Sequence, residues 1–146
     1  MKYIDLTHTL DTDTPVFPGD EPFSLVAAQS CAEDGQNLVT IVTNMHAGTH
    51  IDAPMHMLER GTSIDRYDIG RFAGRGVVID VRGSTHVTRD VLDGRSFGRG
   101  DMVLFCTGHS SLWKRDGYFT DYPEFDVSVA EVLAAAKIGA AGFDAP

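Results

Sequence analysis

Three short apolar runs in the second half of the chain constrain its fold more than any other feature. They are Val77–Val81, Met102–Cys106 and Ala140–Phe143. Each has the length of a strand, and a continuous apolar run is typical of a parallel strand that is buried on both faces. Parallel neighbours need crossover connections, which are usually helical. The runs therefore predict parallel crossover units.

Helix signals occupy both gaps between these runs. Thr88 can cap a short helix over Arg89–Leu92 that ends at Gly94. Ser128 and Glu131 have the spacing of a capping box, with Ser128 as the N-cap, and open an Ala-rich helix that runs to Ile138 and stops at Gly139. The second half is predicted to alternate strand and helix.

The first half predicts a different, antiparallel pattern. A short strand is expected over residues 2–6, and strands are expected over Phe23–Ala28 and Leu38–Met45. The proline-rich and glycine-rich segment Asp11–Pro22 is expected to be an ordered loop. The predicted fold class is α/β with a mixed sheet.

Length and charge narrow the functional classes. The 146 residues suit a single domain, which we place at 1–146. The net charge of −9 disfavours nucleic acid and anionic membranes as partners. No segment has the pattern of a signal peptide or a spanning helix, and Cys31 and Cys106 form no disulfide framework, so a cytoplasmic protein is expected. The abrupt end after Ala140–Phe143 predicts that the domain is truncated at its C-terminus.

Three histidines and one carboxylate fall within eleven residues of each other: His46, His50, Asp52 and His56. All have even numbers, so an extended chain would direct them to one side. His46 and His50 would nevertheless lie ~13 Å apart on a straight strand, too far for bonds of ~2 Å to one ion. The chain must therefore bend, and Gly48 lies at the midpoint, where glycine allows a bend without strain. A second turn at Pro54 is expected to return His56 to the same pocket.

A single histidine is more often structural than a metal ligand, and this alternative applies to each residue taken alone. It is the interpretation we give to His8, His86 and His109, which have no comparable neighbours in the sequence. His109 follows a predicted buried strand, where sites often form, so it is also a candidate for supporting a ligand. The density of the 46–56 cluster favours a metal site there.

The segment His-Ala-Gly-Thr-His-Ile-Asp-Ala-Pro-Met-His, residues 46–56, resembles the signature of the cyclase family of metal-dependent hydrolases. That family includes bacterial kynurenine formamidases and isatin hydrolases. Three further segments are similar to its opening strand, active-site loop and late strand: residues 4–8, 15–20 and 142–146. The resemblance covers essentially the whole chain.

The resemblance implies that His46, His50 and Asp52 bind a first metal ion, with Asp52 able to bridge to a second, and that His56 is the catalytic acid/base. It implies a swivelling β/β/α domain in a homodimer or larger homo-oligomer. Phe17 replaces the tryptophan that formamidases of the family typically carry, and is expected to contact substrate. Family members also supply a later His and Glu, which this sequence does not reach.

These features together predict a metal-dependent amidohydrolase that cleaves a formamide or cyclic amide by attack of metal-bound hydroxide. The cofactor is a divalent ion, with Zn²⁺ expected first and Mn²⁺ sharing the same ligands. The expected partner is a small aromatic amide, as for an arylformamidase. Trp113, Phe119 and Tyr122 could line its pocket or simply pack in the core. The alternatives are an isatin-hydrolase-like lactam hydrolase and a non-catalytic metal-binding or ligand-binding relative.

Overall fold

The computed structural model describes residues 2–146 of the chain. Contacts divide the chain into two compact units, Met1–Asp52 and Ala53–Pro146. The single domain expected from the length stays a prediction. Within the described residues, no helix combines the length and the apolar character that a membrane crossing requires.

An antiparallel hairpin forms the regular part of the first unit. Strand β1 (Ser24–Gln29) pairs with β2 (Leu38–Val42), and the four-residue helix α1 (Cys31–Asp34) lies between them. Both predicted strands are confirmed, although α1 was not predicted. The strand expected over residues 2–6 is wrong. No described strand pairs with this segment, and apolar side chains such as Tyr3 (83% exposed) and Leu6 (77%) stay in solvent.

A parallel sheet organises the second unit, as the apolar runs predicted. Its strands are β3 (Gly76–Asp80), β5 (Met102–Cys106) and β7 (Ala140–Phe143), with β5 in the middle. A separate parallel pair joins β4 (His86–Val87) to β6 (Glu124–Phe125). Both β4 and β6 are two residues long, too short to give a period-2 signal in the sequence.

Helix α2 (Val127–Ala136) differs from its prediction at both ends. Its N-cap is Asp126 and not the predicted Ser128. The Asp126 side chain accepts a hydrogen bond from the Ser128 backbone N–H at 2.9 Å. The Ser128 hydroxyl instead accepts from the Arg89 N–H at 3.3 Å. The helix stops at Lys137, which takes a left-handed φ of 57°, before the predicted stop at Gly139. Asp126 and Ser128 can both accept hydrogen bonds at the start of the helix, and the earlier residue, Asp126, is the N-cap.

The predicted helix at Arg89–Leu92 is a 3-10 helix. Its N-cap residue, Thr88, makes no side-chain hydrogen bond to the helix backbone. Leu92 is nevertheless buried, so this turn packs on the core as expected of a crossover element.

The core of the second unit lies on one face of the parallel sheet. Phe105, Ile79 and Val103 are almost fully buried and pack with the α2 residues Val129 and Leu133. Burial of the strands on both faces, as the apolar runs suggested, is wrong for β3, because Val78 is 63% exposed on the alternate position.

Loops at the carboxyl ends of β5 and β7 are joined by one carboxylate. Asp144 accepts hydrogen bonds from the backbone N–H and hydroxyl of Thr107, both at 2.6 Å, from the Gly108 N–H at 3.0 Å and from the Ser110 hydroxyl at 3.1 Å. Burial would raise the pKa of Asp144, but these donors outweigh it and hold the pKa below its ordinary value.

Candidate metal centre

The loop that follows β2 carries the three predicted ligands. Asn44 Oδ1 accepts a hydrogen bond from the His46 backbone N–H at 2.8 Å, which fixes the start of the loop. Gly48 then has φ = 68°, the left-handed conformation that a residue with a Cβ rarely adopts. The predicted bend at Gly48 is confirmed, and it brings the two histidines together.

The side chains of His46, His50 and Asp52 converge on one point. His46 Nδ1 lies 3.2 Å from His50 Nε2 and 3.1 Å from Asp52 Oδ1, and the distance from His50 Nε2 to Asp52 Oδ1 is 3.6 Å. Each residue thus offers one ligand atom to a compact triangle. Among the described residues, this is the one group of three or more His, Cys, Asp or Glu with such geometry.

The triangle has the dimensions of a metal coordination sphere. Ligand atoms at ~2.1 Å from one ion are separated by ~3.4 Å in tetrahedral geometry and ~3.0 Å at right angles. The three observed distances, 3.1, 3.2 and 3.6 Å, fall on and around these values. Two imidazole nitrogens and one carboxylate oxygen are also ligands that divalent transition metals accept. The residues present therefore fit a divalent ion.

A backbone carbonyl sets the tautomer of His50. His50 Nδ1 lies 2.8 Å from the Gly48 carbonyl oxygen, which can only accept, so Nδ1 carries the proton and donates. In this tautomer the lone pair of Nε2 faces the triangle. Metal-binding histidines are commonly oriented through their second nitrogen in this way. Sequence reasoning missed this role of Gly48, because a carbonyl contact leaves no residue-type signal.

The three ligand side chains are partly open to solvent. His46 and His50 are 34% and 32% exposed, and Asp52 is 46% exposed. A catalytic metal centre needs an open position for water or substrate, whereas a structural centre is closed by protein ligands. Three ligands with this exposure have the arrangement of an open centre.

His56 lies in the second unit, on the 3-10 helix Pro54–His56. Pro54 opens this turn as predicted, and the His56 N–H donates to the Ala53 carbonyl at 2.8 Å. The Met55 N–H donates to the Thr62 carbonyl at 3.2 Å, which closes the loop. The proton-transfer role of His56 stays a prediction.

Phe17 lies in a tight turn of the first unit. The Asp20 N–H donates to the Phe17 carbonyl at 3.0 Å, with Pro18 and Gly19 at the centre of the turn and φ = 99° at Gly19. This combination is typical of a type II turn. The turn leaves Phe17 51% exposed. Substrate contact by Phe17 stays a prediction.

His109 has the structural surroundings expected of it. It is buried (7% exposed), and its Nε2–H donates to the Tyr118 carbonyl at 2.7 Å. Trp113 and Phe119 both pack edge-to-face on the Tyr118 ring, with centroids 5.3 and 5.0 Å away. Tyr122 meets the His109 ring edge-to-face at 6.1 Å. The aromatic residues therefore form a packed group around Tyr118 and His109.

Comparison with known proteins assigns the chain to a family. The sequence profile of the Cyclase family matches residues 4–146, nearly the entire chain. The chain belongs to the Cyclase family. Curated relatives include the kynurenine formamidase of Bacillus cereus (strain ZK / E33L), 29% identical over 146 residues, and that of Geobacillus thermodenitrificans (strain NG80-2), 31% identical. Each alignment covers 99% of this chain, and 69% and 68% of those relatives.

Solved structures of similar proteins share the cyclase fold. An isatin hydrolase bound to the product analogue thioisatinate superposes with a TM-score of 0.81 at 20% identity, over 97% of this chain and 66% of that one. Isatin hydrolase A from Labrenzia aggregata gives a TM-score of 0.78 at 25% identity, over 96% and 66%. The chain thus has the mixed α/β cyclase fold and spans about two thirds of the length of these relatives.

Proposed function

We propose that this chain carries the first metal centre of a metal-dependent hydrolase that cleaves a formamide or a cyclic amide. In this proposal His46, His50 and Asp52 bind a divalent ion, His56 transfers the proton, and Phe17 contacts the substrate. The observation that carries the proposal is the triangle of 3.1, 3.2 and 3.6 Å between the three ligand atoms. Membership of the Cyclase family supports it independently.

Zinc is the first candidate for the ion. Two imidazoles and one carboxylate form a common catalytic zinc set, and Mn²⁺ accepts the same ligands. When bound, such an ion supplies a Lewis acid and a water activated at neutral pH. The chain's own residues supply the rest: the Gly48 carbonyl holds His50 in its ligand tautomer, and Asp52 contributes the negative charge.

His56 is proposed to take the proton from the attacking water and to return it to the leaving nitrogen. An amide nitrogen is a poor leaving group unless it is protonated, so a positioned acid is needed there. Such a group contributes ~10² to 10⁴ in rate. The short turn opened by Pro54 would restrict its imidazole, which is the requirement for positioned proton transfer.

The substrate class follows from the relatives and from Phe17. The curated relatives at 29% and 31% identity are named kynurenine formamidases, which favours an aryl formamide. The alternative is a lactam such as isatin, because the isatin hydrolases share the fold and reach 25% identity. Both compounds offer a flat aromatic ring that a surface phenyl group can stack on. The cytoplasmic location and the homodimer remain predictions.

Metal content and hydrolysis test this proposal together. The wild-type chain, His50→Ala, Asp52→Ala and His56→Ala are purified metal-free and loaded with Zn²⁺ or Mn²⁺, and bound metal is measured. Turnover of N-formylkynurenine and isatin is then followed spectroscopically. We expect His50→Ala and Asp52→Ala to lose bound metal and turnover, and His56→Ala to keep metal while its rate falls ~10²-fold or more.

His86→Ala is the matched control, because His86 is an exposed histidine on β4 and outside the ligand triangle. It should keep both metal and turnover. Unchanged metal content in His50→Ala and Asp52→Ala would overturn the metal centre. Stoichiometric metal without hydrolysis of any formamide or lactam would instead favour the non-catalytic metal-binding alternative.

A further inference from the structure

A cavity in the Ala53–Pro146 unit lies away from the carboxyl ends of the parallel strands. It has a volume of about 490 Å³, and its lining includes Ala73, Gly100 and Gly139, which precede β3, β5 and β7 respectively. It is therefore at the amino-terminal edge of the sheet, beneath the end of α2. This volume lies within the range of small-molecule sites, ~300–1,000 Å³.

The charge around this cavity is one-sided. Arg71, Arg99 and Lys137 line it, and no Asp or Glu does. They are three of the 12 Lys and Arg residues in a chain of net charge −9. Two carboxylates flank the cavity without lining it: Asp68 accepts from the N–H of the lining residue Gly70 at 2.8 Å, and Asp101 binds Arg75 at 2.6 Å. Within residues 2–146, no ion pair of Arg71, Arg99 or Lys137 is found.

Complementing the α2 dipole does not account for three cations. The C-terminus of a helix carries a partial charge of roughly −0.5, which one cation offsets. The lining therefore keeps an excess of positive charge for a ligand. The Arg71 guanidinium also lies 5.3 Å from the centre of the Tyr67 ring, which holds it without neutralising it.

The backbone segments that border the cavity are close-packed. The Gly100 N–H donates to the Lys137 carbonyl at 3.1 Å, and the Gly139 N–H donates to the Asp101 carbonyl at 2.8 Å. A Cβ on Gly139 would lie 2.9 Å from the Gly100 carbonyl oxygen, so the two segments need glycine to meet. Lys137 occupies the left-handed position after α2, where glycine is the usual residue. Lysine is strained in this conformation relative to glycine, and the chain nevertheless has a lysine at the cavity lining.

We infer that this cavity binds a small, multiply charged oxyanion, such as a phosphate or polycarboxylate group, through Arg99, Lys137 and Arg71. Guanidinium groups match the geometry of phosphate and carboxylate oxygens, and the lysine adds a compact charge. The inference does not depend on the proposed hydrolase function, because none of these residues belongs to the ligand triangle.

The test uses inorganic pyrophosphate as the probe. It is titrated calorimetrically into the metal-free 146-residue chain at constant ionic strength, because free metal would itself bind pyrophosphate. We expect one saturable site, at least about tenfold weaker in Arg99→Gln/Lys137→Gln. The matched control Arg60→Gln/Arg66→Gln removes two exposed cations outside the cavity lining and should change the affinity by less than about twofold.

Lys137→Gly provides a second test in case the double variant does not fold. It removes the ammonium group while keeping the left-handed backbone that glycine favours, so the protein should stay folded and bind pyrophosphate more weakly. The inference is overturned if the wild type shows no saturable binding, or if the cavity and control double variants lose affinity equally.

Discussion

The hydrogen bond from His50 Nδ1–H to the Gly48 carbonyl connects backbone conformation to metal chemistry. The left-handed φ of 68° at Gly48 turns its carbonyl toward the imidazole, and the carbonyl then fixes which nitrogen keeps its proton. Nε2 is left with a lone pair 3.6 Å from Asp52 Oδ1. Metal affinity at this centre should therefore depend on a residue that has no side chain.

Gly48→Ala tests this dependence, with Gly35→Ala as the matched control. Both residues have φ values in the left-handed region, 68° and 77°, so both variants should lose ~1–2 kcal/mol of stability from backbone strain. The Cβ added at Gly48 would meet the flexible end of the Leu10 side chain and space is open at Gly35, so the variants differ mainly in that the Gly48 carbonyl contacts His50. Zn²⁺ affinity should fall ~10- to 100-fold in Gly48→Ala alone.

Competitive titration against a chromophoric chelator measures that affinity, and denaturant unfolding measures the stability. Equal Zn²⁺ affinity in Gly48→Ala and the wild type would show that the Gly48 carbonyl does not position His50. An equal loss in Gly35→Ala would show that the effect comes from reduced stability and not from the loop.

At the level of elements, Asp144 links the loops that follow β5 and β7. Four hydrogen bonds converge on its two carboxylate oxygens, all from the segment Thr107–Ser110. Neighbouring parallel strands end at the same edge, so a single short side chain can reach across. The carboxylate therefore ties the loop after β5 to the end of β7.

Asp144→Asn should destabilise the chain near neutral pH and lose that effect in acid. The amide turns an NH₂ toward N–H and O–H donors, at a cost on the order of 1–3 kcal/mol, toward the lower value because the group is only partly buried. The native pKa of Asp144 is lowered, so its contribution is present above the unfolded-state pKa of ~3.9 and is lost as the pH falls through the native pKa.

Urea unfolding at several pH values between 7 and 3 measures this difference. Asp93→Asn, at an exposed aspartate in a turn, is the control and should change stability little at any pH. If the difference in unfolding free energy between Asp144→Asn and the wild type grew on acidification, it would contradict the role assigned to the carboxylate.

The same scale shows why some elements were predictable from sequence. The three parallel strands and the β1–β2 hairpin carry strong local signals, and all were found. The strand expected at residues 2–6 failed because strand formation depends on a pairing partner, which composition does not encode. The choice of Asp126 over Ser128 as N-cap failed because a cap is decided by which side chain reaches the first free N–H groups, and two neighbours were eligible.

The candidate ligands could be predicted from residue type and spacing, whereas the residues that position them could not. His46, His50 and Asp52 are residue types with specific chemistry at a close spacing, and Gly48 is required by the bend between them. Asn44 anchors the loop by accepting the His46 N–H. It is a common turn residue, and its position relative to the ligands gives no signal in the sequence. Contacts of this kind appear only when the backbone path is known.

At the scale of the whole molecule, the metal ligands lie in the unit with the smaller core. Among residues 2–52, Phe23 is the one buried apolar side chain, whereas the second unit buries a cluster of eight hydrophobic residues. A unit of about fifty residues with so little buried apolar surface gains little stability from the hydrophobic effect. Ion binding by His46, His50 and Asp52 should therefore contribute a large share of the stability of this unit.

Metal binding is accordingly expected to raise the melting temperature. Free Zn²⁺ at about 100 times its dissociation constant stabilises a one-site protein by about 2.7 kcal/mol, which corresponds to ~5–10 °C for a chain of this size. Scanning calorimetry with and without Zn²⁺ measures the shift, and native mass spectrometry should find one ion per chain, because three ligand atoms form one site. A chelator should reverse the shift, and His50→Ala should show none. A shift of equal size in His50→Ala would place the stabilising ion outside the triangle of His46, His50 and Asp52, and two tightly bound ions per chain would show that the chain holds a second site.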